Sequence, residues 1–422
     1  MKKRKIVSVL LAAMLTATVF AGCNNQGTES GTPSGDNPTS SAGEASEDNS
    51  GEAKELSLWY YWESEHQQKV LSEMIDDFTA SQSNITVEAE YIPFADFKKQ
   101  LSIGATAEEL PDMVIIDSPD HASYASMGIF ADITDKTDVS AYFEGPINSC
   151  TLDGKLYGLP FGSNCLGLFY NEDLMGDQKV PTTWDELSAT AKALTTDTVS
   201  GLAFCALQNE EGTFNFMPWV WSTGTDSFHI NNEDGIRALS FIGGLVSDGA
   251  MTKESINWTQ GDVMNQFISG NVAMMVNGPW QVPAIREQAP DLNWNVALIP
   301  KDKEYASDLG GENFAIINND NVEASIEFLE FVTSPENLAG YLESFGYIAA
   351  RQDVADGQFE GDEIMGLFVE QMQYAQPRGP HAQWPEISDA ISLAFNETIT
   401  QTSTPEAAAE KAQSTIDGIL AE

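Results

Sequence analysis

Short apolar runs at residues 113–116, 166–170 and 272–276 constrain this chain more than any other feature. Each is too short for a helix and lacks polar alternation, so each reads as a strand buried on both faces. Helical patterns lie between them. Residues 67–78 set Val70, Leu71, Met74, Ile75 and Phe78 on one side; residues 183–194 open on a capping Thr183; residues 233–246 follow. Residues 56–59 and the alternating 85–91 add strands, and 97–101 add a helix. Strands alternating with helices predict an α/β fold around mostly parallel sheet, with ligands beyond the carboxyl ends of the strands. That rule directs attention to two loops, 60–65 and 117–121. Further on come apolar-patterned segments at 309–317 and 324–332, a further helix opened by Ser334-Pro335-Glu336, and a helical tail over 389–420.

A chain of 422 residues exceeds what one core usually organises, so two lobes are expected. No internal repeat and no second long linker separates them, which argues for lobes interwoven by crossing segments. The 64 acidic residues against 20 basic ones give a formal charge of -44, which excludes nucleic acid as a partner because phosphate binding needs a basic footprint.

The N-terminus sets the compartment. Met1 to Lys5 reads MKKRK, and residues 6–20 form an apolar stretch too short to span a bilayer comfortably, followed by Ala21, Gly22 and Cys23. This is an export signal, 1–22, and the order apolar, Ala, Gly, Cys resembles a bacterial lipobox, with Phe20 where that motif usually has Leu. Cys23 would then be lipidated. Residues 24–54 contain no aromatic, Leu, Ile or Val and read as a disordered tether, 23–54. Beyond Cys23 only Cys150, Cys165 and Cys205 remain, too few to staple the chain. Either Cys150 and Cys165 form one bridge, or all three are buried thiols, the reading favoured here.

Four ordered blocks carry a specific resemblance: Tyr157-Gly158-Leu159-Pro160 with 168–174 (LFYNEDL), 181–187 (PTTWDEL), 261–280 (GDV through GNVAMMVNGPW), and 346–354 (GYIAARQDV). They resemble extracellular solute-binding family 1, the carbohydrate ABC transporter substrate-binding lipoproteins whose best-known member is maltose-binding protein. The resemblance implies a two-lobed, type II periplasmic-binding-protein-like fold with a multi-segment hinge. Lobe 1 would comprise 55–164 and 311–351, lobe 2 would comprise 165–310 and 352–422. It implies capture of a sugar, most readily an oligosaccharide, without chemistry on it. The partners would be membrane permease subunits with a cytoplasmic ATPase, and the place the outer face of a single-membrane (Gram-positive) cell, held by the lipid. A monomer is expected, with no cofactor and no metal.

A sugar presents flat C–H faces and many hydroxyls, so its site needs aromatic platforms and planar polar groups. In Trp59-Tyr60-Tyr61-Trp62-Glu63 the choice falls on Trp62 and Glu63, against core packing for Trp62. Asp117 is either a hydroxyl acceptor or the N-cap of the next helix. Asn164 either addresses the sugar or ties the hinge. In residues 214–221 (FNFMPWVW), Pro218 and the flanking Gly212 and Gly224 point to a loop-linked aromatic wall presenting Trp219 and Trp221. Trp280 matches the family's sugar-stacking Trp. Glu312 follows Gly310-Gly311 at the return crossing, where glycines permit hinge angles. Arg378 and Trp384 lie in an irregular stretch that the resemblance sets at the cleft rim, though Arg378 has surface acids as alternative partners.

Two rivals remain. Glu63, Asp117 and Glu312 could supply the carboxylate pair of a glycoside hydrolase, although no nucleophile-elbow, P-loop or zinc-protease motif is present and the four histidines are scattered. Tryptophans with carboxylates also build cages for polyamines or quaternary amines.

Overall fold

The computed structural model describes residues 53–421; the export signal, Cys23 and the tether up to residue 52 lie outside the described residues. Two α/β sheets organise the described chain. The larger runs in the order Ile348–Ala349, Gly158–Asn164, Ser307–Ile316, Met113–Asp117, Lys54–Tyr60, Ile85–Tyr91, with Ala375–Pro377 alongside Ser307–Ile316. The smaller runs Trp294–Ala297, Gly167–Asn171, Val272–Asn277, Ser200–Ala203. Lys54 opens the first strand and pairs with Ile85, so it belongs to the sheet and not to the tether.

The expectation of mostly parallel sheet is corrected. Lys54–Tyr60 is parallel to both Ile85–Tyr91 and Met113–Asp117, but Ser307–Ile316 runs antiparallel to Met113–Asp117 and to Gly158–Asn164. The reason is connectivity. Gly158–Asn164 continues into Gly167–Asn171 of the smaller sheet, and Ser307–Ile316 arrives from Trp294–Ala297 of that sheet. Neither makes a helical return to its own sheet, so the handed crossover that keeps strands parallel does not act on them.

Capped helices surround the space between the sheets. Glu65–Ser81 starts at a capping box: Ser64 Oγ accepts from Gln67 N at 3.1 Å, and Gln67 Oε1 accepts from Ser64 N at 3.2 Å. Its buried stripe of Val70, Leu71, Met74 and Phe78 seats it on the larger sheet's side. Gln260–Ile268 repeats the device with Thr259 and Asp262, and Asn209 Oδ1 caps Glu210–Ser222 through Gly212 N at 3.2 Å. Thr183 caps Trp184–Leu194 as expected.

Two loop assignments fail. Residues 117–121 are not a loop, because the helix Ser118–Ser126 begins directly after Asp117, with Pro119 in its first turn. Residues 210–222 are a helix, Glu210–Ser222, and not an aromatic loop. Pro218 costs that helix one N–H, but residues 212–222 are all buried, packed against Trp384–Ile399 and Glu233–Ser247. Burial on every side outweighs the local penalty. The expected tail is two helices, Trp384–Ile399 and Pro405–Leu420, packed on each other. Cys150, Cys165 and Cys205 are buried free thiols.

Candidate functional site

A cavity of about 280 Å³ opens between the two sheets at the carboxyl ends of their strands. From the larger sheet come Tyr61, Trp62 and Glu63, which follow Lys54–Tyr60, then Asp117 and Asn164 at two strand ends, and Gly310 to Glu312 within Ser307–Ile316. The opposite wall is made by helix starts: Glu210, Glu211 and Phe214; Gln260, Gly261 and Met264; and Trp280. Acids in those first turns sit where the positive helix ends stabilise them.

Seven of the ten expected residues line this cavity: Trp62, Glu63, Asp117, Asn164, Trp280, Glu312 and Arg378. Trp219, Trp221 and Trp384 do not. Trp219 is fully buried, packs beside Trp184, Phe204 and Phe241, and donates its indole N–H to the Asn215 carbonyl at 3.0 Å. Trp221 is buried on the same helix. The expected loop presenting both fails because the chain there is helical, and Phe214, five and seven residues before them, is the aromatic residue of this segment that reaches the cavity. Trp384 is no rim residue. It begins a helix in full burial and donates Nε1 to both oxygens of Glu210 at 3.0 and 3.1 Å.

Arg378 was given surface acids as its alternative partners; its acids are buried instead. Its guanidinium grips Asp117 with both Nη atoms at 3.1 and 3.3 Å, reaches Asp308 Oδ1 through Nε at 3.1 Å, and bonds Glu210 Oε1. Its central carbon, Cζ, lies 4.5 Å from the Phe214 ring centre. Lys98 adds a second cation, at 2.9 Å from Asp120 and 3.5 Å from Glu210. Two cations thus face four buried carboxyl groups. Burial raises Asp117 and Asp308, with Arg378 opposing, and it pushes Asp120 to about 7 against Lys98. At Glu210 burial is outweighed by Lys98 and Arg378 together, and its carboxyl stays below the usual range. Asp117 therefore neither caps Ser118–Ser126 with its side chain nor faces the cavity uncommitted.

Glu312 lies on the cavity floor. Its Oε1 accepts from Tyr347 OH at 2.9 Å and Tyr61 OH at 3.4 Å, while Oε2 has no partner. Burial, then Asp117, push its carboxyl up to about 8, with the Tyr347 hydroxyl, the neighbouring Trp62 indole and the Tyr61 hydroxyl pulling the other way. Glu211 is held at about 7 by burial, against the hydrogen bond it accepts from Gln260 N at 2.6 Å. Both groups bind their proton more strongly folded than unfolded, so their contribution to stability is full below the ordinary glutamate range and is lost as pH rises through 7 and 8. The unfolding free energy of the ligand-free protein should fall by a few kcal/mol in all between about pH 5 and 9. Glu312→Gln should flatten the upper part of that profile; an unchanged slope in urea titrations would count against a protonated Glu312.

At the opposite wall, Trp280 sits 6.0 Å from Phe214 and 6.2 Å edge-on from Tyr347. Its ring folds back over Gly278, where a Cβ would stand 1.9 Å from the indole, so only glycine allows this placement. Glu63, at the mouth, accepts from Thr259 Oγ1 at 3.3 Å, joining the capped starts of two helices on opposite walls.

Sequence reasoning missed Tyr61, Glu210, Glu211, Phe214, Gln260 and Tyr347. Tyr61 and Phe214 stood in the aromatic runs from which neighbours were chosen, and Tyr347 within the block 346–354. Glu210 and Glu211 had only their position after a capping Asn209 to mark them.

Residues 73–365 match the family model described as bacterial extracellular solute-binding protein. The chain is 28% identical to the lactose-binding protein of Rhizobium radiobacter over 66% of this chain and 70% of that one. It is 23% identical to the galactooligosaccharide-binding protein of Bacillus subtilis over 85% and 88% respectively. Maltose-bound T. maritima MalE3 superposes with a TM-score of 0.80 at 21% identity, covering 87% of this chain and all of that chain.

Proposed function

This chain belongs to the bacterial extracellular solute-binding protein family and has a two-lobed, type II periplasmic-binding-protein-like fold, and from that premise we propose that it captures a carbohydrate, most readily an oligosaccharide, between its lobes. The carrying observation is the cavity between the sheets, where the rings of Trp62 and Trp280 flank acceptors and donors left without partners: Glu312 Oε2, Asn164 Oδ1 and Trp62 Nε1. Buried polar atoms without partners are costly, and sugar hydroxyls satisfy them while the rings cover C–H faces. The relatives named for lactose and galactooligosaccharide, and the maltose-bound neighbour, support a sugar ligand.

The lobes we propose are 55–164 with 311–351, and 165–310 with 352–422. That Gly158–Asn164 and Ser307–Ile316 carry the chain between sheets supports division near 164 and 310. Ligand touching both walls would draw them together. A thermal-shift panel of oligosaccharides tests capture, because binding to the native state raises the midpoint. The best binder should then reduce the radius of gyration in solution scattering; a superimposable curve would count against lobe closure. Trp280→Ala should weaken that sugar by about 1–3 kcal/mol, read by titration calorimetry, and unchanged affinity in a folded variant would assign Trp280 to packing alone.

Family members are binding proteins, and we propose that this chain likewise catalyses nothing on its ligand. Asp117, one of the carboxylates a hydrolase would use, is committed to Arg378. Sugars from the panel should be recovered uncleaved after overnight incubation. Delivery would be to the permease subunits and cytoplasmic ATPase of an ABC importer, with the protein held as a monomer at the outer face of a Gram-positive membrane through lipidated Cys23. Cys23→Ala should release it into the medium, and retention in membranes would refute the anchor.

A further inference from the structure

This inference rests on the reading of the cavity as a sugar site and concerns which sugar it takes. The cavity floor is a row of acceptors on one face of three adjoining strands. Glu312 is paired with Asp117 on one side and Gly162 on the other, and Gly310 is paired with Asn164. Residues directly opposite in such pairs point to the same face, so Asp117, Glu312 and Asn164 share it. The glycines leave that face open: a Cβ at Gly310 would stand 2.2 Å from Asn164 Oδ1.

Glu312 and Asn164 are 7% and 3% exposed, and Glu312 Oε2 and Asn164 Oδ1 accept no hydrogen bond. Tyr61, Trp62 and Tyr347 stand around them. Arg378 is the sole cation among the lining residues, and Asp117, Glu210 and Asp308 already engage it. Glu63 and Glu211 add further carboxyl groups to the walls. Among the unpaired atoms of the lining residues the acceptors Glu312 Oε2 and Asn164 Oδ1 outnumber the one donor, Trp62 Nε1, so the net need is for donors, and the surrounding acids favour donors that carry positive charge. A neutral hydroxyl brings one donor and lone pairs that need donors of their own, whereas an ammonium brings three donors and no acceptor.

We propose that the sugar bound here carries a free amino group, with its ammonium seated between Glu312 Oε2 and Asn164 Oδ1, beside the Glu312 oxygen that the Tyr61 and Tyr347 hydroxyls hold. An amino-sugar glycan is thus preferred over neutral, N-acetylated or uronic counterparts. The chain's formal charge of -44 steers cations toward it. Burial holds the Glu312 proton up to about 8, and an adjacent ammonium would offset the same desolvation by pairing with the carboxylate.

The test is calorimetric titration of the protein with matched disaccharide and monosaccharide sets in gluco, galacto and manno configuration. Members of a set differ only in whether carbon 2 bears a hydroxyl, an acetamide or a free amine, and spermidine is a separate arm. In at least one set the amine should bind at least about tenfold more tightly than both counterparts, as a charge-assisted hydrogen bond in a buried site implies. Glu312→Gln should bring that ratio close to one, and Asn164→Ala should lower it several-fold if Glu312→Gln fails to fold. No tenfold amine preference in any set, or a preference that survives both folded variants, overturns the inference. Neutral sugars binding without such preference would leave carbohydrate capture standing. Spermidine binding with no saccharide bound would remove both readings.

Discussion

Arg378→Met is expected to lower the unfolding free energy by about 3–5 kcal/mol, the usual cost of leaving buried charge without its partner. Arg378 is 2% exposed and serves Asp117, Asp308 and Glu210 from three different segments: the end of Met113–Asp117, the start of Ser307–Ile316, and the first turn of Glu210–Ser222. Removing the guanidinium leaves Lys98 alone to offset four buried carboxyl groups, and Lys98 touches only Asp120 and Glu210. The orphaned acids would then take up protons in the folded state, so the deficit should shrink as pH falls toward the ordinary carboxylate range. Arg378→Lys should recover part of the loss at most, because an ammonium cannot bridge three carboxylates with a planar fork. Urea titrations at pH 5 and 8 read both effects. A variant within about 1 kcal/mol of the native protein at both pH values would show that the cluster contributes little.

Trp219→Ala should cost a similar 3–5 kcal/mol, the range for emptying a buried aromatic site. Its ring fills the space between Trp184, Phe204 and Phe241, none of which lines the cavity. Stability and binding should therefore separate. Trp219→Ala should shift the urea midpoint strongly while leaving the affinity of the folded fraction within a few-fold, the reverse of Trp280→Ala. If Trp219→Ala abolished binding in a protein of near-native stability, the helical, buried assignment of 210–222 would be wrong as regards function.

A short unbroken apolar run and a period-3.6 pattern carry their own physics, so the strand at 113–116 and the helix over 67–78 were legible from local spacing. The ends of Lys54–Tyr60 and Met113–Asp117 could be nominated by strand-end topology, and Trp62, Glu63 and Asp117 do line the cavity. Trp219 and Trp221 were not legible, because Pro218 argues locally against a helix while the burial that overrides it comes from Glu233–Ser247 and Trp384–Ile399. An aromatic run says that rings are needed, and only the phase of the helix decides which ring reaches the cavity.

The sequence by itself determined the alternating α/β architecture, the strongly acidic composition, and the aromatic and carboxylate chemistry available to the cavity, since each follows from composition or from spacing along the chain. Tertiary structure alone decided the direction of Ser307–Ile316, the choice of Phe214 over Trp219 and Trp221, and the pairing of Arg378 with Asp117, 261 positions away. It likewise left Glu312 Oε2 and Asn164 Oδ1 without partners on one open face. Desolvation and charge pairing depend on what surrounds a group in space, and neighbours brought together from distant segments leave no period in the chain to read.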